Sequence, residues 1–236
     1  MKNTVISLIS AIVLAGCAGG VQEAASQYPQ DKFTAKDGTE ITFTFYAHAS
    51  IALDALGHRI YVDPTGEGIA WEGEPEADLI LVTHEHFDHL DTTVIKTLNG
   101  TGDYVKMAPG EVTVPFEGIQ VEAVPAYNIS EGHLGFHPQE RGDAGYILTI
   151  GGSRIYVSGD TEDNEDVLAL KDIDVAFICV NQPYTMTVDQ CVNTVKAIRP
   201  AIFYPYHFGG SGTPTDMDAL QKALEDVTDV RIRPLE

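Results

Sequence analysis

Basic residues are scarce in this chain of 236 residues. It has 14 Lys and Arg against 35 Asp and Glu, which gives a formal net charge of −21 at pH 7. The few basic residues are scattered, whereas a protein that follows a phosphate backbone needs them clustered. We therefore expect no nucleic-acid partner. The acidic excess favours solubility, and it is also compatible with a protein that holds divalent cations.

Several catalytic fingerprints are missing as well. The chain has no Gly-x-Ser-x-Gly segment, no P-loop and no Gly-rich dinucleotide motif. Nothing in it therefore indicates a serine nucleophile of that type or a nucleotide bound through those motifs. It also has no internal repeat. With 44% hydrophobic residues the chain has an ordinary globular composition, which predicts one sizeable domain.

The N-terminal apolar run, from Val5 to Ala15, is too short to cross a bilayer core of about 30 Å. Because it follows Lys2, it fits the hydrophobic region of a signal peptide. The segment Leu14-Ala15-Gly16-Cys17 at its end resembles the bacterial lipobox, in which the cysteine becomes the lipidated first residue. We expect residues 1–16 to be removed and Cys17 to anchor an exported bacterial lipoprotein to the membrane, facing the periplasm or the cell surface. The alternative is an ordinary signal peptide with an incidental cysteine.

Cysteine is otherwise rare. Apart from Cys17 the chain has only Cys179, in an apolar run, and Cys191, in a predicted helix. A disulfide could form outside the cytoplasm. Each thiol stands where a small core residue belongs, however, so we predict two separately buried thiols.

Small, polar and aperiodic residues fill positions 18–30, which predicts a tether. We divide the chain into a signal peptide (1–16), a lipidated cysteine with its tether (17–30) and a folded domain (31–236). Short strand-like runs dominate the first half of that domain, and helices alternate with strands in the second half. This order predicts an α/β protein with two stacked sheets and helices outside. The predicted strands are 41–46, 50–53, 58–62, 77–82, 119–124, 146–150, 154–157, 175–180, 201–204 and 230–232, and the predicted helices are 91–98, 165–170, 188–198 and 215–225.

The strongest chemical signal is the segment Thr83-His84-Glu85-His86-Phe87-Asp88-His89, directly after a predicted strand. On a loop at a strand end, His84 and His86 can point to the same side and bind one cation. Asp88 and His89, around the turn, can reach a second. Imidazole and carboxylate together suit Zn²⁺, Mn²⁺ or Fe. We predict one or two divalent metal ions, with zinc favoured.

This segment resembles the His-x-His-x-Asp-His signature of the metallo-β-lactamase superfamily, and the resemblance extends from about residue 43 to residue 210. Three further segments match that family in order: Tyr61-Val62-Asp63-Pro64, Ser158-Gly159-Asp160-Thr161 and Tyr204-Pro205-Tyr206-His207. The resemblance implies a four-layer αββα sandwich. It also implies that Asp160 bridges two metals, that His207 completes the second site and that Asp63 lies in the outer coordination sphere.

A narrower resemblance is to the branch that contains ascorbate-phosphate lactonase and N-acylphosphatidylethanolamine phospholipase D. That branch has an early Gly-His-Ala/Ser segment, for which Tyr46-Ala47-His48-Ala49-Ser50 stands here. The resemblance implies that His48 lies near the site, as a ligand of metal or substrate. A buried histidine that is hydrogen-bonded to the backbone is the alternative.

One expected ligand departs from the family pattern. The superfamily has another histidine between the signature and the Gly-Asp turn, and Asn128 stands where we expect it. An amide oxygen is a weaker ligand than imidazole for Zn²⁺. His137, beside a rigid proline, and His133 could each replace it, and we favour His137. A weak or empty first metal site is the remaining possibility.

We predict a metal-dependent hydrolase that uses a metal-bound hydroxide on an ester, lactone or phosphodiester, a small or lipid-like molecule. Asp88 would hold metal and accept a proton from the attacking water. Two alternatives are a non-catalytic metal-dependent binding lipoprotein, which the missing histidine favours, and a non-hydrolytic metalloenzyme on the same fold. Specificity would lie in loops 66–76 and 129–145. No feature of the sequence indicates an oligomeric state.

The lipobox interpretation makes a direct prediction. Replacing Cys17 with Ala should move the protein from the membrane fraction to the soluble fraction, because stable anchoring needs the two or more acyl chains that the cysteine would carry. The measurement is fractionation of cells that express the parent chain or Cys17→Ala. Equal membrane association of the two proteins would overturn the interpretation.

Overall fold

Two β-sheets form the centre of the computed structural model, which describes residues 26–66, 68–209 and 212–235. The first sheet has the strand order β1-β2-β3-β4-β5. Its neighbours are antiparallel except for β4 and β5, which run parallel. The strands are β1 (Gln30–Thr34), β2 (Glu40–Ala47), β3 (Ser50–Ala55), β4 (His58–Val62) and β5 (Leu79–Leu81).

The second sheet has the strand order β12-β11-β10-β9-β8-β7-β6. Strands β9 to β12 pair in parallel, and β6 to β9 pair antiparallel. The strands are β6 (Val112–Phe116), β7 (Ile119–Pro125), β8 (Ala144–Ile150), β9 (Ser153–Val157), β10 (Val175–Cys179), β11 (Ile202–Tyr206) and β12 (Asp229–Val230). The helices are α1 (Thr92–Asn99), α2 (Glu165–Leu168), α3 (Val188–Ile198) and α4 (Met217–Leu224), with a 3₁₀ turn at Gln139–Arg141.

The sheets face each other through apolar side chains, because successive residues of a strand point to opposite faces. Phe43 of β2 contacts Phe177 of β10 edge to face, with ring centroids 5.2 Å apart. On the outer face of the first sheet, Tyr61 and Trp71 pack with the buried residues of α1. The buried residues of α3 and α4 join the main core on the side of the second sheet. The predicted αββα sandwich is confirmed.

Local signals placed several elements correctly. The hydroxyl of Thr187 accepts the N–H of Gln190 at 3.1 Å, and the Gln190 side chain accepts the N–H of Thr187 at 2.9 Å. This capping box starts α3 at the predicted residue. Asp91 caps α1 through its carboxylate, which accepts the N–H groups of Thr93 and Val94. Cys179 and Cys191 are buried and unpaired, as predicted.

Other parts of the chain differ from expectation. The domain begins before residue 31, since Gln30 opens β1 and the ring of Tyr28 lies 4.8 Å from that of Tyr46. Strand β6 was not predicted. His58 follows the predicted hairpin turn, where an exposed side chain is expected, yet its ring stacks on Phe116 with ring centroids 3.8 Å apart. The signal segment and Cys17 lie outside the described residues, within which no helix combines the length and the apolar character needed to cross a bilayer.

Arg59 makes a buried polar network on the outer face of the first sheet. Its guanidinium donates to Asp54 and to the Tyr46 hydroxyl, and that hydroxyl donates to Glu74 at 2.8 Å. The side chains of Arg59 and Glu74 are only 7% and 6% exposed. Removing the cation therefore leaves the carboxylate of Glu74 buried without its counter-charge.

We expect Arg59→Met to lower the free energy of unfolding by about 3–5 kcal/mol, the range for breaking one side of a buried ion pair. The matched control is Lys32→Met, because Lys32 pairs with Glu40 at 2.7 Å on the surface. Its loss should cost less than about 1 kcal/mol. Urea unfolding of the three proteins checks this, and equal effects of the two substitutions would contradict it.

Candidate metal centre

Five segments deliver polar side chains to one edge of the two sheets. The signature loop follows β5, Asp160 follows β9, and His207 follows β11. Strands β9 and β11 both run parallel to β10, so their carboxyl ends lie at the same edge. His48 comes from the turn between β2 and β3, and its carbonyl accepts the N–H of His207 at 3.0 Å. His137 comes from the loop after β7.

Three imidazoles form the first donor cluster: His84, His86 and His137, with ligand atoms all within 4.8 Å of one another. Nε2 of His84 lies 3.1 Å from Nδ1 of His86. Nε2 of His137 lies 3.3 Å from Oδ2 of Asp160. Three convergent imidazoles are a ligand set typical of Zn²⁺.

A second cluster consists of His48, Asp88 and His207. Oδ2 of Asp88 lies 3.3 Å from Nε2 of His48 and 3.6 Å from Nε2 of His207. The rings of His48 and His207 are 3.9 Å apart. The structure thus brings His48 next to the signature residues, and it contributes a donor to the same side as Asp88.

Asp160 lies between these two clusters and forms a third group of potential ligands with His84 and His89. Its Oδ1 is 3.3 Å from Nε2 of His89 and 3.3 Å from Nε2 of His207, while Oδ2 faces His137. All three of these Oδ1 and Nε2 atoms are buried, yet none of them forms a hydrogen bond within the described residues. Buried polar atoms are normally satisfied. A cation among them would satisfy all three, so the residues present fit a metal ion.

Asp63 orients the signature loop without joining a donor cluster. Its carboxylate accepts the N–H and the hydroxyl of Thr83, both at 2.7 Å, and Nδ1–H of His89 at 2.7 Å. The bond to Nδ1 turns Nε2 of His89 toward Asp160. A carboxylate that holds the far nitrogen of a metal-binding histidine fixes its tautomer and its ring orientation.

Burial and neighbouring charges set the protonation states of the cluster. Burial alone would raise the pKa of Asp160, but the imidazoles of His207 and His89 hold it well below its usual range. Burial lowers the pKa of His84 well below its usual range, and the charge of His89 adds to that effect. An ionised carboxylate and a neutral imidazole are the forms that bind metal.

The sequence left Asn128, His133 and His137 as candidates for the ligand that replaces the expected histidine, and their positions in the structure differ. His137 is the one whose ring enters the donor cluster. The Asn128 amide instead donates to the carbonyls of Tyr184 and His133, at 2.8 and 3.2 Å. Nδ1 of His133 lies 3.2 Å from the buried carboxylate of Glu162. The Asn128 amide nitrogen and His133 therefore hold loops in place, and His133 belongs to none of the His and Asp clusters of the described residues.

Sequence reasoning missed Arg141 and Asp143. The Arg141 guanidinium lies 2.8 Å from Nε2 of His86 and 3.0 Å from Nδ1 of His137, and it also pairs with Asp143. It packs against the far side of each ring, so that the other ring nitrogen faces the cluster. The only sequence signal for Arg141 is that it is the one basic residue of a loop that is otherwise uncharged or acidic. That signal is too weak to predict a role at the site.

The fold and this site define a metal-dependent hydrolase of the metallo-β-lactamase superfamily. A family model described as a β-lactamase superfamily domain matches residues 42–207, well over half of the chain, and the chain belongs to that superfamily.

Known proteins resemble the chain over most of its length. A UPF0173 metal-dependent hydrolase from Thermus thermophilus is 30% identical, over 70% of this chain and 82% of its own length. The crystal structure of a candidate metal-dependent hydrolase from Parabacteroides distasonis superimposes with a TM-score of 0.82 at 41% identity, covering 89% of this chain and 100% of that one. Igni18, a metallo hydrolase from Ignicoccus hospitalis, shares the fold at 19% identity, with a TM-score of 0.69 over 82% of this chain and 95% of that one.

We expect His137→Ala to weaken metal binding by more than about tenfold, because it removes an imidazole from the first cluster. His133→Ala is the matched control, since it removes an imidazole from the same loop but outside the cluster. Metal titration of chelator-treated parent and variants at one pH measures the difference. If His137→Ala binds as tightly as the parent, His137 is not a ligand.

Proposed function

We propose that this metal-dependent hydrolase binds two divalent cations, zinc favoured, and cleaves an ester, lactone or phosphodiester. The observation that carries the proposal is Asp160, whose two carboxylate oxygens face different groups of imidazoles. One shared carboxylate with donors on both sides is the arrangement of a two-metal site. His84, His86 and His137 would hold one cation, and Asp88, His89 and His207 the other.

The cations would supply Lewis acidity and a bound water with a pKa of about 7. The side chains supply the rest. Asp88 is part of the cavity wall, and the imidazoles of His207 and His48 hold its pKa well below its usual range against the effect of burial. Such a carboxylate is a good ligand and a weak base. This favours metal binding over proton transfer as the role of Asp88.

His48 completes the second side of the site in this proposal. Its ring is 13% exposed and lies against both Asp88 and His207, which suits either a metal ligand or a group that contacts substrate. The choice of esters, lactones and phosphodiesters rests on the resemblance of the segment around His48 to the lactonase and phospholipase D branch.

We also propose that the protein lies at a membrane surface. The packed part of the chain starts near Tyr28, whose hydroxyl accepts the N–H of Ala70 at 3.0 Å. If Cys17 is lipidated, the intervening tether would hold the active-site edge near the bilayer, where small or lipid-like substrates are accessible.

Elemental analysis tests the metal proposal. The full chain, purified without chelator from metal-supplemented cells, should carry Zn, Mn or Fe at a substantial fraction of at least one equivalent. Asp160→Asn should lose most of that metal, because it replaces a charged ligand with a neutral one. The control is Asp163→Asn, the same change at a surface carboxylate that accepts the Asn193 amide. Parent protein without transition metal would contradict the proposal.

Activity is tested on 4-nitrophenyl esters, a lactone and bis(4-nitrophenyl) phosphate. We expect metal-dependent turnover that Asp160→Asn lowers more than about 100-fold, beyond the effect of altering a group that only supports a ligand. Asp163→Asn should keep parental turnover. A metal-loaded parent that turns over none of these compounds would favour the binding lipoprotein instead.

A further inference from the structure

The cavity beside the metal centre has a wall that the chemistry described above does not use. The cavity measures about 280 Å³. Besides residues of the donor clusters, it is lined by Phe87, Phe136, Asn181 and Tyr184. Three of these are aromatic and one is an amide. None of the lining residues is Lys or Arg, so the wall offers no fixed positive charge.

Asn181 is the polar group of this wall. It is the second residue after β10 and is only 2% exposed. Its backbone is held by Thr185, whose hydroxyl accepts the Asn181 N–H at 2.8 Å and whose own N–H donates to the Asn181 carbonyl at 2.8 Å. The side-chain amide, in contrast, has no hydrogen-bond partner among the residues that the structure describes. Because the amide lines the cavity, its N–H groups can donate to an acceptor bound there.

The aromatic side chains give the cavity an apolar character. Phe136 and Tyr184 contact each other edge to face, with ring centroids 5.1 Å apart. Phe87 is 83% exposed at the rim, and Ile129 and Leu134, on the loop that carries Phe136, are about half exposed. Exposed apolar groups around a concave site favour a ligand with an apolar part.

We propose that Asn181 binds the carbonyl oxygen of an uncharged ester whose acyl group carries an aromatic ring, and that Phe136 and Tyr184 contact this ring. The amide N–H of Asn181 donates to the acyl oxygen, which fixes the carbonyl beside Asp160. The net charge of −21 supports an uncharged substrate over an anionic diester, because it opposes the approach of anions. The inference rests on the proposed hydrolase function and narrows its substrate class.

Binding of phenylacetamide tests the inference without catalysis. This uncharged probe has the carbonyl and the ring but is a poor substrate for ester hydrolysis. We expect metal-loaded full-length protein to bind it at least about tenfold more tightly than Asn181→Leu does, the effect of one lost hydrogen bond. Asn181→Ser, which keeps a donor, should lose less. Asn193→Leu, the same change at a surface amide outside the cavity, should bind like the parent.

Phe136→Ala should also weaken phenylacetamide, while it leaves the affinity for acetamide, which lacks the ring, unchanged. Metal content, measured on every variant, should match that of the parent, because neither side chain holds metal, and cooperative urea unfolding checks that each variant is folded. Equal binding by the parent and Asn181→Leu, or no binding by the parent, would overturn the inference.

Kinetics separates this inference from the proposed function. The parent should hydrolyse 4-nitrophenyl phenylacetate with a higher kcat/KM than 4-nitrophenyl acetate or bis(4-nitrophenyl) phosphate, which share its leaving group. A preference for the phosphate would overturn the substrate class and leave the hydrolase intact. If no compound is turned over, the hydrolase proposal fails, and the binding measurements still decide the role of Asn181.

Discussion

The buried carboxylate of Asp160 is the constraint on which the site depends. It is 3% exposed and surrounded by imidazoles, so it stays ionised in a place where an isolated charge would be costly. Positive charge must compensate it, and its neighbours supply only part of that charge, since burial holds the pKa of His84 and His207 below the usual range. A divalent cation on each side of Asp160 would supply the remaining positive charge.

The two sheets hold the Asp160 carboxylate at fixed distances from the histidines around it. Asp160 and His207 stand at the ends of strands that flank β10, and the fixed spacing of a parallel sheet sets their separation. The signature loop comes from the other sheet. The backbone bond from His207 to the carbonyl of His48 joins the two sheets at the site edge. Packing of Phe43 on Phe177 behind this edge keeps the sheets at constant distance.

Around this centre, the loop between β7 and β8 supplies further side chains of the site. The buried carboxylate of Glu162 accepts the N–H groups of Ile129 and Ser130, at 2.7 and 2.6 Å, and anchors the start of the loop. The Asn128 amide ties the same loop to Tyr184. The loop therefore places His137 in the first donor cluster and Phe136 in the cavity wall at the same time.

Prediction from the sequence succeeded where the signal is local. The capping box of α3 and the start of β4 depend on neighbours in the chain, and their bounds match the structure. It failed for two edge strands. Strand β1 has the largely polar sequence Gln-Asp-Lys-Phe-Thr, and β6 contains Pro115, which cannot donate to a sheet ladder. Strand β1 thus lacks the apolar alternation by which a strand is recognised, and in β6 the proline interrupts it.

The sequence by itself determined the kind of chemistry, because His84, His86, Asp88 and His89 are close along the chain and need no fold to be recognised as ligands. The sequence also limited the candidates for the ligand that replaces the expected histidine to Asn128, His133 and His137. Only the tertiary structure placed His137 beside His84 and His86, and only it placed Asn181 in the cavity wall. These residues act through contacts with segments distant in sequence, and such contacts are set by how the sheets pack, not by any pattern in the neighbouring residues.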